Sequence, residues 1–198
     1  ARAVELYRQA AQRGLSRAQC NLGYCYYEGI GVEIDYNEAF RWFSKSAEDE
    51  NSRGQCMLGL CYELGRGVAE DKRRATEYYR MAAENGNVTA MCNLGYCYYT
   101  GIGVDENDQK AVEWFQRAAD RGQPRALLLL GDCYEEGHGV TGALTRANHY
   151  SHKAADKGYK SAQEALQRLE GGVQKSAYTY VPPAEAPKPA PAPQPAPP

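Results

Sequence analysis

Apolar and small residues recur with a fixed spacing along the first 171 residues of the chain. A leucine position marks the period, and a glycine follows the leucine in four of its five occurrences. The members of this series are 36 residues apart: Leu22, Leu58, Leu94, Leu130 and Leu166. A constant period of this size indicates an array of structural repeats, each packed on its neighbours.

Each period contains two amphipathic segments with helical spacing. In the first complete period the apolar and small positions are Ala18, Leu22, Cys25 and Tyr26, followed by Ala39, Trp42, Phe43, Ser46 and Ala47. A Gly-x-Gly-Val sequence separates the segments and predicts the end of the first helix. Asp35, Asp71 and Asn107 stand where the second helix begins and are predicted N-caps. Each repeat is therefore predicted to be a hairpin of helix A followed by helix B.

The order of the segments predicts an all-α chain. Its predicted parts are an unpaired B helix of a truncated repeat (1–14), four complete repeats, a capping A helix (159–171) and a linker with a tail (172–198). The four repeats are 15–50, 51–86, 87–122 and 123–158. Because the opening B helix lacks an A partner, we expect the array to extend upstream of Ala1. Gln167 replaces the glycine of the last A helix, as expected for a terminal cap.

The tail differs from the rest of the chain in composition. Nine of the 10 prolines lie between Pro182 and Pro198. This density of proline excludes helix and sheet and favours polyproline II, in which residues 182–198 would reach ~53 Å at ~3.1 Å per residue. Two interpretations stay open: the tail is a spacer to a neighbouring domain, or it is a ligand for an aromatic groove.

Composition and charge exclude several classes of function. The 198 residues are 43% hydrophobic and 24% charged, and the formal net charge is −2. The chain has no basic block typical of a nucleic-acid-binding protein, and no apolar run approaches the ~18 residues that span a bilayer. We therefore predict no nucleic-acid binding and no membrane insertion. We also predict no cofactor and no metal site.

The repeat resembles the Sel1-like repeats, which are relatives of the tetratricopeptide repeats. The residues that carry this resemblance in the first complete repeat are Ala18, Leu22, Gly23, Tyr26, Gly29, Gly31, Val32, Asp35, Ala39, Trp42, Ser46 and Ala47. The sequence departs from the family pattern at Glu50, Gly54 and Ala143. The resemblance implies a right-handed α/α superhelix and a role as a scaffold or adaptor, since few members of the family are catalytic on their own.

The resemblance also implies that the A helices line a concave groove in which a ligand binds. By position, three rows of candidate residues face that groove: Cys20, Cys56, Cys92 and Leu128; Tyr24, Leu60, Tyr96 and Asp132; Tyr27, Glu63, Tyr99 and Glu135. Tyrosine offers a wide apolar face and one hydrogen bond at low entropy cost, which suits peptide binding. We predict a peptide that is apolar or proline-containing at one end and basic at the other, and the chain's own tail (182–198) is one candidate. The alternative is that these tyrosines only pack on neighbouring repeats.

The seven cysteines are an odd number, so complete internal pairing is impossible. Pairs such as Cys20 and Cys25 are spaced i, i+5, about 7.5 Å along a helix axis, which is too far for a disulfide. We predict structural thiols that act as small hydrophobic residues. The three histidines lie in one repeat near Cys133 and could hold zinc with it, but a solvated helix face is the simpler interpretation. Unpaired thiols favour the cytoplasm, and a secreted or periplasmic location stays open.

No nucleophile and base converge in the sequence, because all three histidines lie in the last complete repeat. The predicted function is a non-enzymatic scaffold or adaptor that binds a peptide or a partner protein in its concave groove. One alternative is a targeting or regulatory module of a larger multidomain enzyme or signalling protein. Another is a hydrolase, such as the β-lactamase activity suggested for some relatives, for which the sequence offers no nucleophile.

Overall fold

The computed structural model of the protein describes residues 2–139, 144–158 and 160–171. Within this part of the chain there are ten helices and no strand, so the prediction of an all-α chain is confirmed. The helices are α1 (Arg2–Gln12), α2 (Ser16–Glu28), α3 (Tyr36–Glu48), α4 (Ser52–Leu64), α5 (Lys72–Glu84), α6 (Val88–Thr100), α7 (Asp108–Asp120), α8 (Pro124–Glu136), α9 (Leu144–Ala155) and α10 (Lys160–Gly171). Even-numbered helices are A helices, and odd-numbered helices are B helices. The predicted linker and tail (172–198), Val140 and Ala143 lie outside the described residues.

Side chains of the predicted cap residues start the B helices. The carboxylate of Asp35 accepts hydrogen bonds from the backbone N–H groups of Asn37 and Glu38, both at 3.0 Å. Asp71 and Asn107 accept from first-turn N–H groups of α5 and α7 in the same way. Because the first-turn N–H groups of a helix have no partner within it, these side chains stabilise each helix start. The predicted N-caps are therefore confirmed.

The first glycine of each Gly-x-Gly sequence ends an A helix. These glycines have a left-handed backbone conformation with φ between 65° and 77°. They are Gly29, Gly65, Gly101 and Gly137. Each donates its N–H to the carbonyl of the cysteine four residues earlier. The predicted helix ends are confirmed, and the chain turns here toward the B helix.

A glycine on the A helix lets the B helix of the same hairpin approach closely. A Cβ atom on Gly23 would lie 2.8 Å from the ring of Phe43, which is fully buried. The same contact recurs in the next two repeats, in the pairs Gly59 with Tyr79 and Gly95 with Phe115. Any side chain at the glycine would push the two helices apart, so this position sets the spacing within the hairpin.

The second glycine of the loop joins each repeat to the preceding one. A Cβ atom on Gly67 would lie 2.1 Å from the carbonyl oxygen of Tyr36, in the first turn of the preceding B helix. Gly103 has the same relation to Lys72, also at 2.1 Å. Backbone therefore packs directly on backbone at the junction between repeats, and only glycine fits there.

The buried side chains form a core that continues from repeat to repeat. The main cluster extends from Cys20 in α2 to Ala162 in α10, and a smaller cluster joins α1 to α2. The unpaired helix α1 leaves part of its apolar face uncovered, since Leu6 is 60% exposed. Each hairpin thus packs mainly on its nearest neighbours, which is the architecture of a solenoid.

Replacement of Leu94 by alanine is expected to lower the free energy of unfolding by about 2–5 kcal/mol, because a fully buried leucine leaves a cavity. The measurement is urea unfolding followed by circular dichroism. Leu64→Ala is the matched control, because Leu64 ends an A helix and is 38% exposed. Equal urea midpoints for the two variants would contradict the assignment of Leu94 to the core.

The two loop glycines give a second matched pair. Gly65 and Gly67 have similar φ values, 65° and 74°, but a Cβ on Gly65 would meet its nearest atom only at 3.5 Å. Gly65→Ala should therefore lower stability by about 1–2 kcal/mol through backbone strain alone. Gly67→Ala should lose a further ~1–3 kcal/mol, because its methyl group meets the Tyr36 carbonyl. A smaller loss for Gly67→Ala than for Gly65→Ala in urea unfolding would refute this junction.

Candidate functional site

The A helices form the inner layer of the solenoid. The B helices α3, α5 and α7 each pack on the A helix of their own hairpin and on the A helix of the next, and α2 also contacts α4 directly. This contact, and the hydrogen bond from Arg125 on α8 to Asn93 on α6, place the A helices on the inner side of the array. The concave side of a solenoid is the surface that such proteins use for binding.

One stripe of each A helix faces the inner side. It consists of four positions spaced i, i+4, i+7 and i+11, which share one helix face. In the first two repeats these positions are Arg17, Asn21, Tyr24 and Glu28, then Arg53, Met57, Leu60 and Leu64, and all eight are exposed or half-buried. In the next two they are Thr89, Asn93, Tyr96 and Thr100, then Arg125, Leu129, Asp132 and Glu136. We refer to these residues together as the open A face.

The second predicted row lies on this face, but its exposure changes along the array. Tyr24 and Leu60 are half-buried, whereas Tyr96 is 8% exposed and Asp132 is 4% exposed. The structure therefore brings the row together and concentrates its accessible apolar surface in the first two repeats. The acidic end that the sequence predicted at Asp132 presents little side-chain surface.

The first predicted row is buried between successive A helices. Cys20 and Cys92 are each 1% exposed, and Cys56 and Leu128 are also buried. These positions lie about 60° around the helix from the open A face, on the side that meets the neighbouring repeat. Side chains of this row contribute to packing and offer almost no surface to a partner.

The third predicted row makes contacts between and within repeats. Tyr27 is buried, and its hydroxyl accepts a hydrogen bond from Nη1 of Arg66 in the next repeat at 2.6 Å. Burial raises the pKa of Tyr27 to about 12, although Arg66 opposes this rise. Glu63 accepts a hydrogen bond from Tyr79. Glu63 is half-buried, as are the two residues of this row that lie further along the array, Tyr99 and Glu135.

Tyr99 forms a second junction of this kind, between the third and fourth repeats. Its hydroxyl donates to Oε2 of Glu136 at 3.1 Å, and its ring lies edge-on to the ring of His138 at 5.6 Å. Nδ1 of His138 is in turn 3.1 Å from Oδ2 of Asp108. Tyr27 and Tyr99 thus pack on the following repeat. This is the arrangement expected under the alternative that the tyrosines pack on neighbouring repeats.

The structure adds arginine and asparagine residues that the sequence analysis did not include. The guanidinium carbon of Arg53 lies 5.3 Å from the centroid of the Tyr24 ring, and its Nη1 donates to Oδ1 of Asn21 at 3.3 Å. The same arrangement recurs two repeats later, at 5.3 Å and 3.1 Å, in Arg125, Tyr96 and Asn93. We refer to these two sets of three residues as the Arg–Tyr–Asn clusters.

A signal for these clusters is present in the sequence at twice the basic period. The sequence Cys-Asn-Leu-Gly-Tyr-Cys-Tyr-Tyr occurs at residues 20–27 and again at residues 92–99. Cys-Tyr-Glu occurs at residues 61–63 and 133–135, in the second and fourth repeats. Odd and even repeats therefore differ from each other on the A helix, and each Arg–Tyr–Asn cluster spans one odd and one even repeat.

No group of three His, Cys, Asp or Glu side chains in the described part of the chain could hold a metal ion. His149 and His152 are exposed on α9, as predicted for a solvated face. None of the described helices combines the length and the apolar character needed to cross a bilayer.

Stacked helical hairpins with an open inner face place the protein in the class of α-solenoid repeat proteins. The sequence profile of the Sel1 repeat matches residues 1–15, 16–51, 52–87, 88–123 and 124–159. The chain therefore belongs to the Sel1 repeat family. Proteins built from these repeats are in general non-catalytic scaffolds that bind other proteins.

Solved structures of similar proteins have the same fold. One is c5321, a protective antigen present in uropathogenic Escherichia coli strains, with 40% identity and a TM-score of 0.77 over 85% of this chain and 36% of that chain. A Sel1 repeat protein from Oxalobacter formigenes has 30% identity and a TM-score of 0.79 over 87% and 70%. Helicobacter pylori cysteine-rich protein B has 30% identity and a TM-score of 0.51 over 62% and 93%. The chain thus spans about a third of the length of c5321. Proteins with curated functions give no significant match.

The seven cysteines are expected to be unreactive in the folded protein. All seven are buried and form no disulfide in the described structure, and burial raises the pKa of Cys56 and Cys61 to about 12 and of Cys92 and Cys97 to about 11. Because the thiolate is the reactive form, Ellman's reagent at pH 8 should label the native chain slowly. All seven thiols should react at once in urea. Rapid labelling of even one thiol in the folded state would contradict this packing.

Proposed function

We propose that this chain is a non-enzymatic interaction scaffold that holds an extended segment of a partner protein against its open A face. The observation that carries the proposal is the exposed apolar surface in the first two repeats. Tyr24, Met57 and Leu60 are half-buried there, and Leu64 is 38% exposed. These side chains lie on an inner layer whose backbone is already held by the packing of the hairpins, so a bound segment would meet a preformed surface.

The charged residues at the two edges of this face support the same proposal. Arg17 and Arg53 lie at the amino-terminal ends of their A helices, and Glu28 and Glu136 lie at the carboxyl-terminal ends. An apolar centre between polar rims is the usual arrangement of a protein interface. A segment that runs along the array across successive A helices would contact both edges and the apolar centre.

The chain's own proline-rich tail is one candidate for that segment. Polyproline II segments bind to grooves lined by aromatic residues, and Tyr24 supplies a half-buried aromatic ring on the open A face. The reach of residues 182–198, ~53 Å, is comparable with an inner face of about 40 Å for four repeats with ~10 Å between helices. The tail could occupy the face of its own molecule or that of a second copy.

The proposal is tested with peptides selected from a random display library on the immobilised full chain. Fluorescence anisotropy then measures the affinity of each selected peptide for variants of the protein. Tyr24→Ala combined with Leu60→Ala should weaken binding by at least about tenfold, because aromatic and aliphatic anchors dominate such interfaces. Met81→Ala is the matched control, since Met81 is 44% exposed on the B helix α5. A synthetic peptide of residues 182–198 is titrated in parallel against the chain truncated after Val181.

Two results would refute the proposal. One is a selection that yields no binding peptide, and the other is a set of peptides whose affinity is unaffected by the Tyr24 and Leu60 replacements. Urea midpoints of all variants, measured first, separate lost binding from lost folding. Failure of the 182–198 peptide to bind would remove only the tail as the bound segment.

A further inference from the structure

A second open surface lies between the B helices α3 and α5 and shares no residue with the open A face. It is a groove of about 410 Å³. Ala47 and Leu58 line it and are buried, and the half-buried Tyr78 and the 44% exposed Met81 add further apolar surface. We refer to it as the α3–α5 groove. Its apolar lining offers a contact surface for the aliphatic part of a ligand side chain.

Three carboxylates also line the α3–α5 groove. Glu48 and Glu84 are the last residues of α3 and α5, and Glu50 lies in the loop after α3. All three are exposed, and none forms an ion pair with another described residue. None of the described residues that line the groove is basic. Because the carboxyl end of a helix is itself partly negative, the groove favours a cation on two counts.

The backbone at Glu50 is unfavourable for a residue with a side chain. Its φ of 57° is left-handed, and Glu50 is the only residue other than glycine with a positive φ in the described part of the chain. The equivalent residues of the other repeats are glycines with φ between 81° and 85°: Gly14, Gly86, Gly122 and Gly158. A left-handed conformation costs stability in any residue that has a Cβ atom. Local folding therefore does not explain a glutamate at this position.

The next two junctions of the array contain a cation of their own at the position that follows the B helix. After α7, Nη1 of Arg121 donates to the carbonyl of Gly86 in the preceding repeat at 2.9 Å. After α9, Nζ of Lys157 would lie 3.4 Å from a Cβ atom on Gly122. The residue at this position after α5 is Asn85, which carries no charge. The chain thus shows where a cation binds in such a groove and omits it from the α3–α5 groove.

A second cation is replaced on the same B helix. In α3 and α7 a basic side chain lies 4.6 Å from the centroid of a tryptophan ring. These pairs are Lys45 with Trp42 and Arg117 with Trp114. The same positions of α5 are Tyr78 and Met81. The α3–α5 groove therefore lacks both cations of the following junction, although it has one carboxylate more.

We propose that the α3–α5 groove is a binding site for an arginine side chain of a partner protein. The guanidinium group takes the place that Arg121 has at the next junction, and Glu48 and Glu50 accept its hydrogen bonds. A planar guanidinium fork matches carboxylate oxygens, and the aliphatic part of the side chain packs on the apolar surface at Met81. The described carboxylates are not grouped as metal ligands, which agrees with an organic cation. The site is separate from the open A face and does not depend on the proposed function.

The test follows the methyl signals of the three methionines by NMR in the full chain with isotope-labelled methionine. The ligand is N-acetyl-arginine amide, and N-acetyl-citrulline amide, which has a similar shape but no charge, is the control ligand. Met81 lines the groove, Met57 lies on the open A face and Met91 is buried. We expect a saturable shift of the Met81 signal alone, with the arginine ligand and not with the citrulline ligand.

Variants of the carboxylates measure their part in binding. Glu48→Gln combined with Glu50→Gln should weaken the affinity at least about tenfold, because two charge-assisted hydrogen bonds are lost. Glu113→Gln is the matched control, since Glu113 is exposed on α7 outside the groove. Glu50→Gly restores the glycine of the other repeats, so it should weaken binding about threefold or more without lowering the urea midpoint. The affinity of the native chain should fall as salt concentration rises.

Asn85→Arg supplies the missing cation from within the chain. Its guanidinium group should occupy the α3–α5 groove as Arg121 occupies the next one, so the arginine ligand should no longer give a saturable shift of the Met81 signal. Asn85→Gln is the matched control, because it changes the same side chain without adding a charge, and it should bind the ligand as the native chain does. Urea midpoints of all variants separate lost binding from lost folding.

Three results would overturn the inference. They are a Met81 signal without a saturable shift, equal shifts with the arginine and citrulline ligands, and glutamate variants that bind as tightly as the native chain. A shift of the Met57 signal alone would place the arginine on the open A face and would also refute the groove. The test of the proposed function uses Tyr24 and Leu60, which lie outside the groove, so either proposal can fail while the other stands.

Discussion

The close approach of backbones at two glycine positions is the constraint on which the rest of the structure depends. Within a hairpin, the A-helix glycine admits the buried ring of the B helix, as Gly23 admits Phe43. Between hairpins, the second glycine of the loop packs directly on the backbone of the preceding repeat, as Gly67 packs on the carbonyl of Tyr36. The ring contact recurs in the first three repeats, and the backbone contact recurs at Gly103 and Gly139, so the same two approaches set the spacing within and between these hairpins. Small and regular offsets of this kind generate the curvature of a solenoid and its inner surface.

Side chains on the inner layer follow a longer period than the backbone does. The loop residue between the two glycines is Arg66 in the second repeat and His138 in the fourth, and each contacts a tyrosine of the preceding repeat. The equivalent residue in the third repeat is Ile102. A contact between an arginine and a tyrosine therefore joins repeats one and two. A contact between a histidine and a tyrosine joins repeats three and four. A uniform backbone thus carries a side-chain pattern that repeats every two repeats.

The fold could be predicted from the sequence because its determinants are local. The leucine series, the N-caps such as Asp35 and the left-handed glycines such as Gly29 each act within a few residues. The preference for tyrosine over phenylalanine also has a local explanation. Tyr26 places its ring against the smaller core cluster while its hydroxyl accepts a hydrogen bond from Arg8 at 3.2 Å, so a half-buried position favours tyrosine over phenylalanine.

The site could be predicted only in part, because exposure on the A helices depends on how closely the repeats stack. A helical spacing alone places Cys20 and Tyr24 near the same face, but contact between successive A helices buries the first and leaves the second half-exposed. Asp132, which the sequence predicted to face a partner, is also buried. Contacts between different repeats, such as Arg53 with Tyr24, need the register of two helices that lie 36 residues apart in sequence.

The division between the two layers explains how such an array can acquire a binding specificity without a change of fold. The glycines and buried rings that set the spacing lie between the A and B helices. They therefore restrict the size of every side chain that they contact. The exposed positions of the open A face carry no such restriction, and a residue there can be unfavourable for its own helix. Arg53 illustrates this, because a cation in the first turn of α4 opposes the helix dipole. The stability of the neighbouring hairpins makes that arrangement tolerable, since each repeat is stabilised mainly by its interfaces and little by its isolated helices.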